Sequence, residues 1–105
     1  MSFGVMGGAM QPQGHLQMVL RLVDHKQNPQ SCSDGARWIV NPDMSVSFEE
    51  KVPASVQEEL ARRGHRIVSS ELTMFGFGGA QLIHRFGDGY CAGSDHRKDG
   101  FAAGF

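Results

Sequence analysis

Glycine is the residue type that most restricts how this chain can fold. Of the 105 residues 14 are glycine, and they cluster at 4–14, 76–79 and 87–104. Because glycine has no Cβ, the backbone there can adopt positive φ angles and other groups can approach it closely. We therefore expect the first strand to end at Gly7-Gly8 in a backbone that another group approaches closely, a break in the chain pattern at 76–79 and a turn at 87–89.

The spacing of apolar residues predicts an α+β fold over residues 1–105, an antiparallel sheet with two helices. Strands are expected at 3–6, 37–40, 45–49, 66–68, 80–86 and 90–93. The strands at 37–40 and 45–49 are joined by a turn and form a hairpin. This sheet is expected to supply the framework against which the helices pack.

The first helix is expected from His15 to about Lys26, because apolar residues recur there at the helical period. Its expected buried face is formed by Leu16, Val19, Leu20 and Val23, and Met18 and Leu22 broaden it. Asn28-Pro29 ends it, and Pro29 can open a further helical turn through Ser33. The second helix begins at Pro53 and ends at Gly64, a residue suited to the left-handed conformation that terminates helices.

Charge and hydropathy exclude two classes of partner. The 10 basic residues nearly cancel the 11 acidic ones, which leaves a formal net charge of −1. A nucleic-acid binder carries a basic excess or stripe, so no nucleic-acid partner is expected. No apolar run approaches the roughly 20 residues that cross a bilayer, so no membrane partner is expected. The first residues also lack a signal-peptide pattern.

No cofactor or metal site is expected either. None of the five histidines stands at a metal-ligand spacing from Cys, Asp or Glu. The segment 95–100 carries both charge signs and is interpreted as a solvated loop, since it lacks the spacing of a calcium loop. Cys32 and Cys91 are interpreted as buried free thiols, and His84 as a packing residue of its strand.

Gly7-Gly8 is the one candidate site. Two consecutive glycines between a strand and a helix can present adjacent backbone N–H groups toward one point. Such pre-aimed donors stabilise an oxyanion as it develops during acyl transfer. Tight packing is the alternative explanation of the pair, and the residues alone leave both open.

A longer set of collinear motifs resembles the γ-glutamyltransferase (γ-glutamyltranspeptidase) family, in the form of its bacterial γ-glutamyltransferase-like branch. The matching segments are 3–8, 11–17, 22–24, 28–30, 36–38, 63–65, 78–81, 93–95, 97–100 and 102–105. They follow the family's order and cover essentially the whole chain. The chain is therefore similar to the C-terminal segment of the family's small subunit.

This resemblance implies an N-terminal-nucleophile hydrolase with a four-layer αββα sandwich. In that family the proenzyme cleaves itself, and the threonine at the new N-terminus attacks a γ-glutamyl amide such as that of glutathione. The family's oxyanion hole falls on Gly7 and Gly8, whereas its nucleophile lies upstream of them. Thr73, the single threonine here, follows the pair and cannot be that nucleophile.

The implied partners are the remainder of the same polypeptide, namely the large subunit and the N-terminal part of the small subunit, and a small γ-glutamyl substrate. The segment alone is expected to be inactive. Three alternatives stay open. The first is an amidohydrolase or acylase of the same superfamily that acts on oxamate or β-lactam side-chain amides. The second is a stand-alone assembly module that forms homodimers to cover open sheet edges, and the third is an α+β domain with no function of its own.

Overall fold

The computed structural model describes residues 1–70 and 74–105 and contains two small sheets and three α-helices. In chain order the elements are β1 Ser2–Met6, α1 Met10–Val19 continued by a π-helical turn Leu20–Asp24, α2 Pro29–Asp34, β2 Trp38–Val40, β3 Val46–Phe48, α3 Ala54–Arg62, a 3₁₀ turn Met74–Phe77, β4 Gly79–Phe86 and β5 Gly89–Ser94. The α+β fold is confirmed, and α2 confirms the further helical turn expected from Pro29 through Ser33. Its first turn is capped by the Asn28 side chain, which accepts the Ser31 N–H at 2.9 Å.

The main sheet is antiparallel and has β4 at its centre, in the order β1-β4-β5. Val5 lies opposite Ala80, and Leu82 lies opposite Gly93. The second sheet is the predicted hairpin of β2 and β3. The strand expected at 66–68 is reduced to a single parallel bridge between Ile67 and Val46 on β3.

The core lies between the main sheet and the helices α1 and α2. It is formed by Val5, Met18, Cys32, Ala80 and Leu82, with Phe3 and Leu22 packed against it. Two of the clustered glycines sit where an element approaches this core closely. These are Gly14 on α1 and Gly93 on β5.

At both glycines a Cβ would collide with a neighbouring element. A Cβ on Gly14 would lie 2.6 Å from Cγ1 of Val5, and one on Gly93 would lie 2.7 Å from the carbonyl group of Pro29. Glycine therefore allows α1 to contact β1 and α2 to contact β5 at backbone distance.

The predicted buried face of the first helix is confirmed for Met18 and Leu22, which contact the core, and is wrong for its four other residues. Leu16, Val19, Leu20 and Val23 are exposed, whereas Met10, Gly14, Gln17 and Met18 are buried. The helix begins at Met10, five residues earlier than expected. Pro12 is tolerated in the first turn because a backbone N–H there would have no acceptor within the helix, and proline has no N–H. The close approach of Gly14 to Val5 then sets which face points at the sheet.

The side of α1 that faces β2 carries two glutamines, Gln13 and Gln17, where apolar residues would be expected. The Gln17 amide donates to the Trp38 carbonyl at 2.9 Å and accepts the Trp38 N–H at 3.1 Å. Gln13 makes the same pair of bonds with Val40, at 3.1 and 2.8 Å. These side chains satisfy the free edge of β2, as a neighbouring strand would, so a polar helix face is buried here.

Candidate functional site

Gly7 and Gly8 form the turn between β1 and α1. Their φ angles are +133° and +57°, which side chains other than glycine rarely allow. The Met10 N–H donates to the Gly7 carbonyl and the Gln11 N–H to the Gly8 carbonyl, both at 3.0 Å. A Cβ on Gly8 would meet nothing within 4 Å, so conformation alone requires glycine there.

The carbonyl bonds determine where the free N–H groups of this turn point. All peptide bonds described are trans, so the C=O and N–H of one peptide point in opposite directions. Because the Gly7 carbonyl faces Met10, the Gly8 N–H points away from it. Within the described part of the chain, neither the Gly7 N–H nor the Gly8 N–H donates a hydrogen bond. Both glycines are exposed residues.

A second group of glycines packs beneath this turn. Gly78 has a φ of +77°, and a Cβ there would collide with the Met6 carbonyl oxygen. A Cβ on Gly7 would in turn lie 3.0 Å from the Gly78 Cα. These close backbone contacts hold the Gly7-Gly8 turn against the start of β4.

A buried ionic cluster lies next to the start of β4. We call Glu49, Arg37, Asp95 and Arg97 the arginine cluster. Nη2 of Arg37 contacts Oδ2 of Asp95 at 2.5 Å, and both side chains are fully buried. Arg97 donates to both Glu49 carboxylate oxygens, from Nε at 2.6 Å and from Nη2 at 2.5 Å. The interpretation of 95–100 as a solvated loop is therefore wrong for Asp95 and Arg97.

The arginine cluster connects the backbone beneath the Gly7-Gly8 turn, at 77–80, to the rest of the fold. Arg37 donates from Nη1 to the Phe77 carbonyl at 2.8 Å, and Asp95 accepts the Ala80 N–H at 2.6 Å. These bonds fix the backbone on both sides of Gly78. Arg97 also donates to the Ser33 carbonyl at 2.9 Å, which connects α2 to the same cluster.

The electrostatics of the cluster favour the charged forms of its acids. Burial alone would raise the pKa of Asp95, but the N–H donors of Ala80 and Arg97 and the Arg37 guanidinium outweigh it and hold that pKa below its usual value. Glu49 behaves in the same way, since the hydrogen bonds from Arg97 overcome the burial that raises its pKa. The carboxylates are thus bound as structural anions.

The other residues considered from the sequence take structural positions. Cys32 is in the core, and burial raises the pKa of its thiol. Cys91 is half-buried and free, and the His84 ring stacks on Phe86 at 4.2 Å. Thr73 lies outside the described residues.

Within 1–70 and 74–105, no three His, Cys, Asp or Glu side chains are placed to hold a metal ion. No helix in those ranges is long and apolar enough to cross a bilayer.

The family model described as gamma-glutamyltranspeptidase matches residues 1–105. The chain belongs to this family. Among solved structures it is similar to the cephalosporin acylase from Bacillus halodurans, with 40% identity and a TM-score of 0.90 over 96% of this chain and 19% of that one. A search of curated protein sequences returned no match.

Two further structures share the fold of this family member. The γ-glutamyltranspeptidase from Pseudomonas nitroreducens in complex with L-DON has 19% identity and a TM-score of 0.83, over 98% of this chain and 54% of that one. The transpeptidase CapD from Bacillus anthracis has 20% identity and a TM-score of 0.81, over 98% and 62%. The chain thus spans less than two thirds of each of these relatives.

Proposed function

We propose that Gly7 and Gly8 form the oxyanion hole of an enzyme that cleaves γ-glutamyl amides, such as that of glutathione. The observation that carries this proposal is the pair of N–H groups on exposed glycines, which have no hydrogen-bond acceptor within 1–70 and 74–105, in a chain that the family model matches throughout. The N-terminus of α1 begins directly after this turn, and its positive dipole end favours negative charge there.

In the proposed reaction the hydroxyl of an N-terminal threonine attacks the γ-glutamyl carbonyl carbon, and its proton passes to the threonine's own α-amine. The carbonyl oxygen becomes an oxyanion that accepts the Gly7 and Gly8 N–H groups. The C–N bond then breaks, and the departing amine takes the proton from the α-amine. Water releases glutamate from the resulting ester, or an acceptor amine takes over the γ-glutamyl group.

The nucleophile belongs, in this proposal, to residues outside these 105. The chain is the C-terminal segment of a small subunit, and its partner is the remainder of the same polypeptide. Apolar side chains left exposed by the fold support this: Met6, Ile83 and Tyr90 project from the sheet face opposite the core. A further layer of the larger enzyme, packed on this sheet face, would bury these side chains.

A second candidate function is hydrolysis of a cephalosporin side-chain amide. It is favoured by one comparison, because the structure that is 40% identical to this chain is a cephalosporin acylase. The oxyanion hole serves either acyl group. The ratio of kcat/KM for glutathione to kcat/KM for an acylated cephalosporin, measured on the full-length enzyme, separates the two candidates.

Glycine-to-alanine variants of the full-length enzyme test the proposed site. We expect Gly7→Ala and Gly8→Ala to lower kcat by about 100-fold, because the backbone must leave the positive φ that aims the donors. Gly4→Ala is the matched control, since a Cβ there meets nothing within 4 Å and φ is not positive. Wild-type kcat in folded Gly7→Ala and Gly8→Ala enzymes would contradict the assignment.

A further inference from the structure

We propose that His15 is a positioning residue for the Gly7-Gly8 donors, because it holds β1 and α1 together on the two sides of their turn. This inference rests on the proposed function of that pair. His15 lies on the second turn of α1 and is half-buried. Both of its ring nitrogens are used by backbone groups.

The partners of the ring require one tautomer. Nδ1 of His15 lies 2.6 Å from the Gln11 carbonyl oxygen, which can only accept, so Nδ1 carries the proton. Nε2 is then the acceptor of the Val5 N–H at 3.2 Å. In this tautomer the imidazole serves as donor and acceptor at once.

These bonds close a path around the turn. The Val5 N–H donates to the His15 ring, and the His15 ring donates to the Gln11 carbonyl. The Gln11 N–H in turn donates to the Gly8 carbonyl at 3.0 Å. Val5 precedes the glycine pair on the strand, and Gln11 follows it on the helix. The path therefore fixes the distance that the turn must span, and with it the direction of its N–H groups.

No other side chain that the structure describes accepts the Val5 N–H. β1 is an edge strand, so the Val5 N–H has no strand partner on that side. Gln13 and Gln17, the neighbouring polar side chains on α1, are both bonded to β2. The Phe3 ring packs against the imidazole at 5.6 Å between centroids and limits its rotation.

Three substitutions in the full-length enzyme test the role, with kcat and KM measured on glutathione or, where that is the better substrate, on an acylated cephalosporin. We expect His15→Ala to lower kcat by about 100-fold with little change in KM, since a small displacement of positioned groups has that effect. His15→Gln should recover more of kcat than His15→Asn. The longer side chain can bring a carbonyl oxygen to the Nε2 position and accept the Val5 N–H, whereas asparagine reproduces the Nδ1 donor instead.

Asn28→Ala is the control for lost stability, because it removes the α2 cap far from the turn. Its kcat, per processed enzyme, should stay at the wild-type value. The positioning role is overturned if all three His15 variants keep wild-type kcat while Gly7→Ala loses it, or if Asn28→Ala loses kcat as His15→Ala does. A wild-type enzyme that cleaves neither substrate would instead overturn the proposed function.

Discussion

Asp95 shows how much of this fold depends on one buried carboxylate. Its carboxylate accepts the backbone N–H groups of Ala80 and Arg97. It also contacts the guanidinium groups of Arg37 and Arg97, and all three side chains are buried. Removing one partner of a buried ion pair leaves the others uncompensated. We expect Asp95→Asn to destabilise the protein by about 3–5 kcal/mol, as measured by urea-induced unfolding. Asp99→Asn, on an exposed residue, is the control.

The pH dependence of stability follows from the same residue. Because the pKa of Asp95 is lower in the folded than in the unfolded chain, its contribution is present above the unfolded value, about 3.9, and is lost as pH falls through the folded value. Wild-type stability should therefore fall steeply at acidic pH, whereas Asp95→Asn should show a shallower fall. Equal slopes would mean that Asp95 is not held as an anion.

Single residues also show what the sequence could and could not predict. Asn28, Pro29 and Gly64 act within a few positions of themselves, so the start of α2 and the end of α3 were predictable. The pairing of Arg37 with Asp95 was not, because 58 positions separate them and no periodicity connects them. Gly7 and Gly8 were selected from their spacing and resemblance, and their role as an oxyanion hole remains a prediction.

At the scale of whole elements, glycine determines how closely the helices approach the sheet. Gly93 faces the Pro29 backbone, which cannot move aside, whereas Gly14 faces the tip of the Val5 side chain. Gly4 faces open space. We therefore expect alanine to destabilise most at Gly93, by about 1–3 kcal/mol or more, less at Gly14 and least at Gly4. Thermal unfolding of the three variants measures this order, and a Gly4 variant as unstable as the Gly93 variant would refute it.

In α1, the spacing of apolar residues does not by itself determine which face is buried. A helical period of apolar residues was present, but Gln13 and Gln17 have hydrogen-bond partners on the edge of β2 and are turned inward. The pattern of apolar residues carries no information about such side chain-to-backbone pairs. Leu16 and Val19 are left on the outer surface as a consequence, whereas Met10 and Met18 stay buried.

The molecule as a whole is more extended than a domain of its length. Its radius of gyration is 14.7 Å, against about 13 Å for a compact domain of this size. The exposed stripe along α1 and its π-helical turn, which comprises Leu16, Val19, Leu20 and Val23, adds to the open sheet face. Both surfaces fit a chain that packs against further layers of the proposed larger enzyme.

Cysteine labelling of the full-length enzyme tests whether the stripe is covered. We expect Val23→Cys to react with a maleimide much more slowly than Ser55→Cys, which lies on the exposed start of α3. In the 105-residue chain alone, both cysteines should react at similar rates. Equal rates in the full-length enzyme would show that the stripe faces solvent there.

The most direct test of the central claim is a crystal structure of the full-length enzyme with a boronate analogue of the γ-glutamyl group. The boron forms a tetrahedral adduct with the hydroxyl nucleophile, and one of its oxygens takes the place of the oxyanion. We predict that this oxygen lies about 2.7–3.1 Å from the backbone nitrogens of both Gly7 and Gly8. An adduct whose oxygens all lie beyond hydrogen-bond distance of both nitrogens would contradict the account.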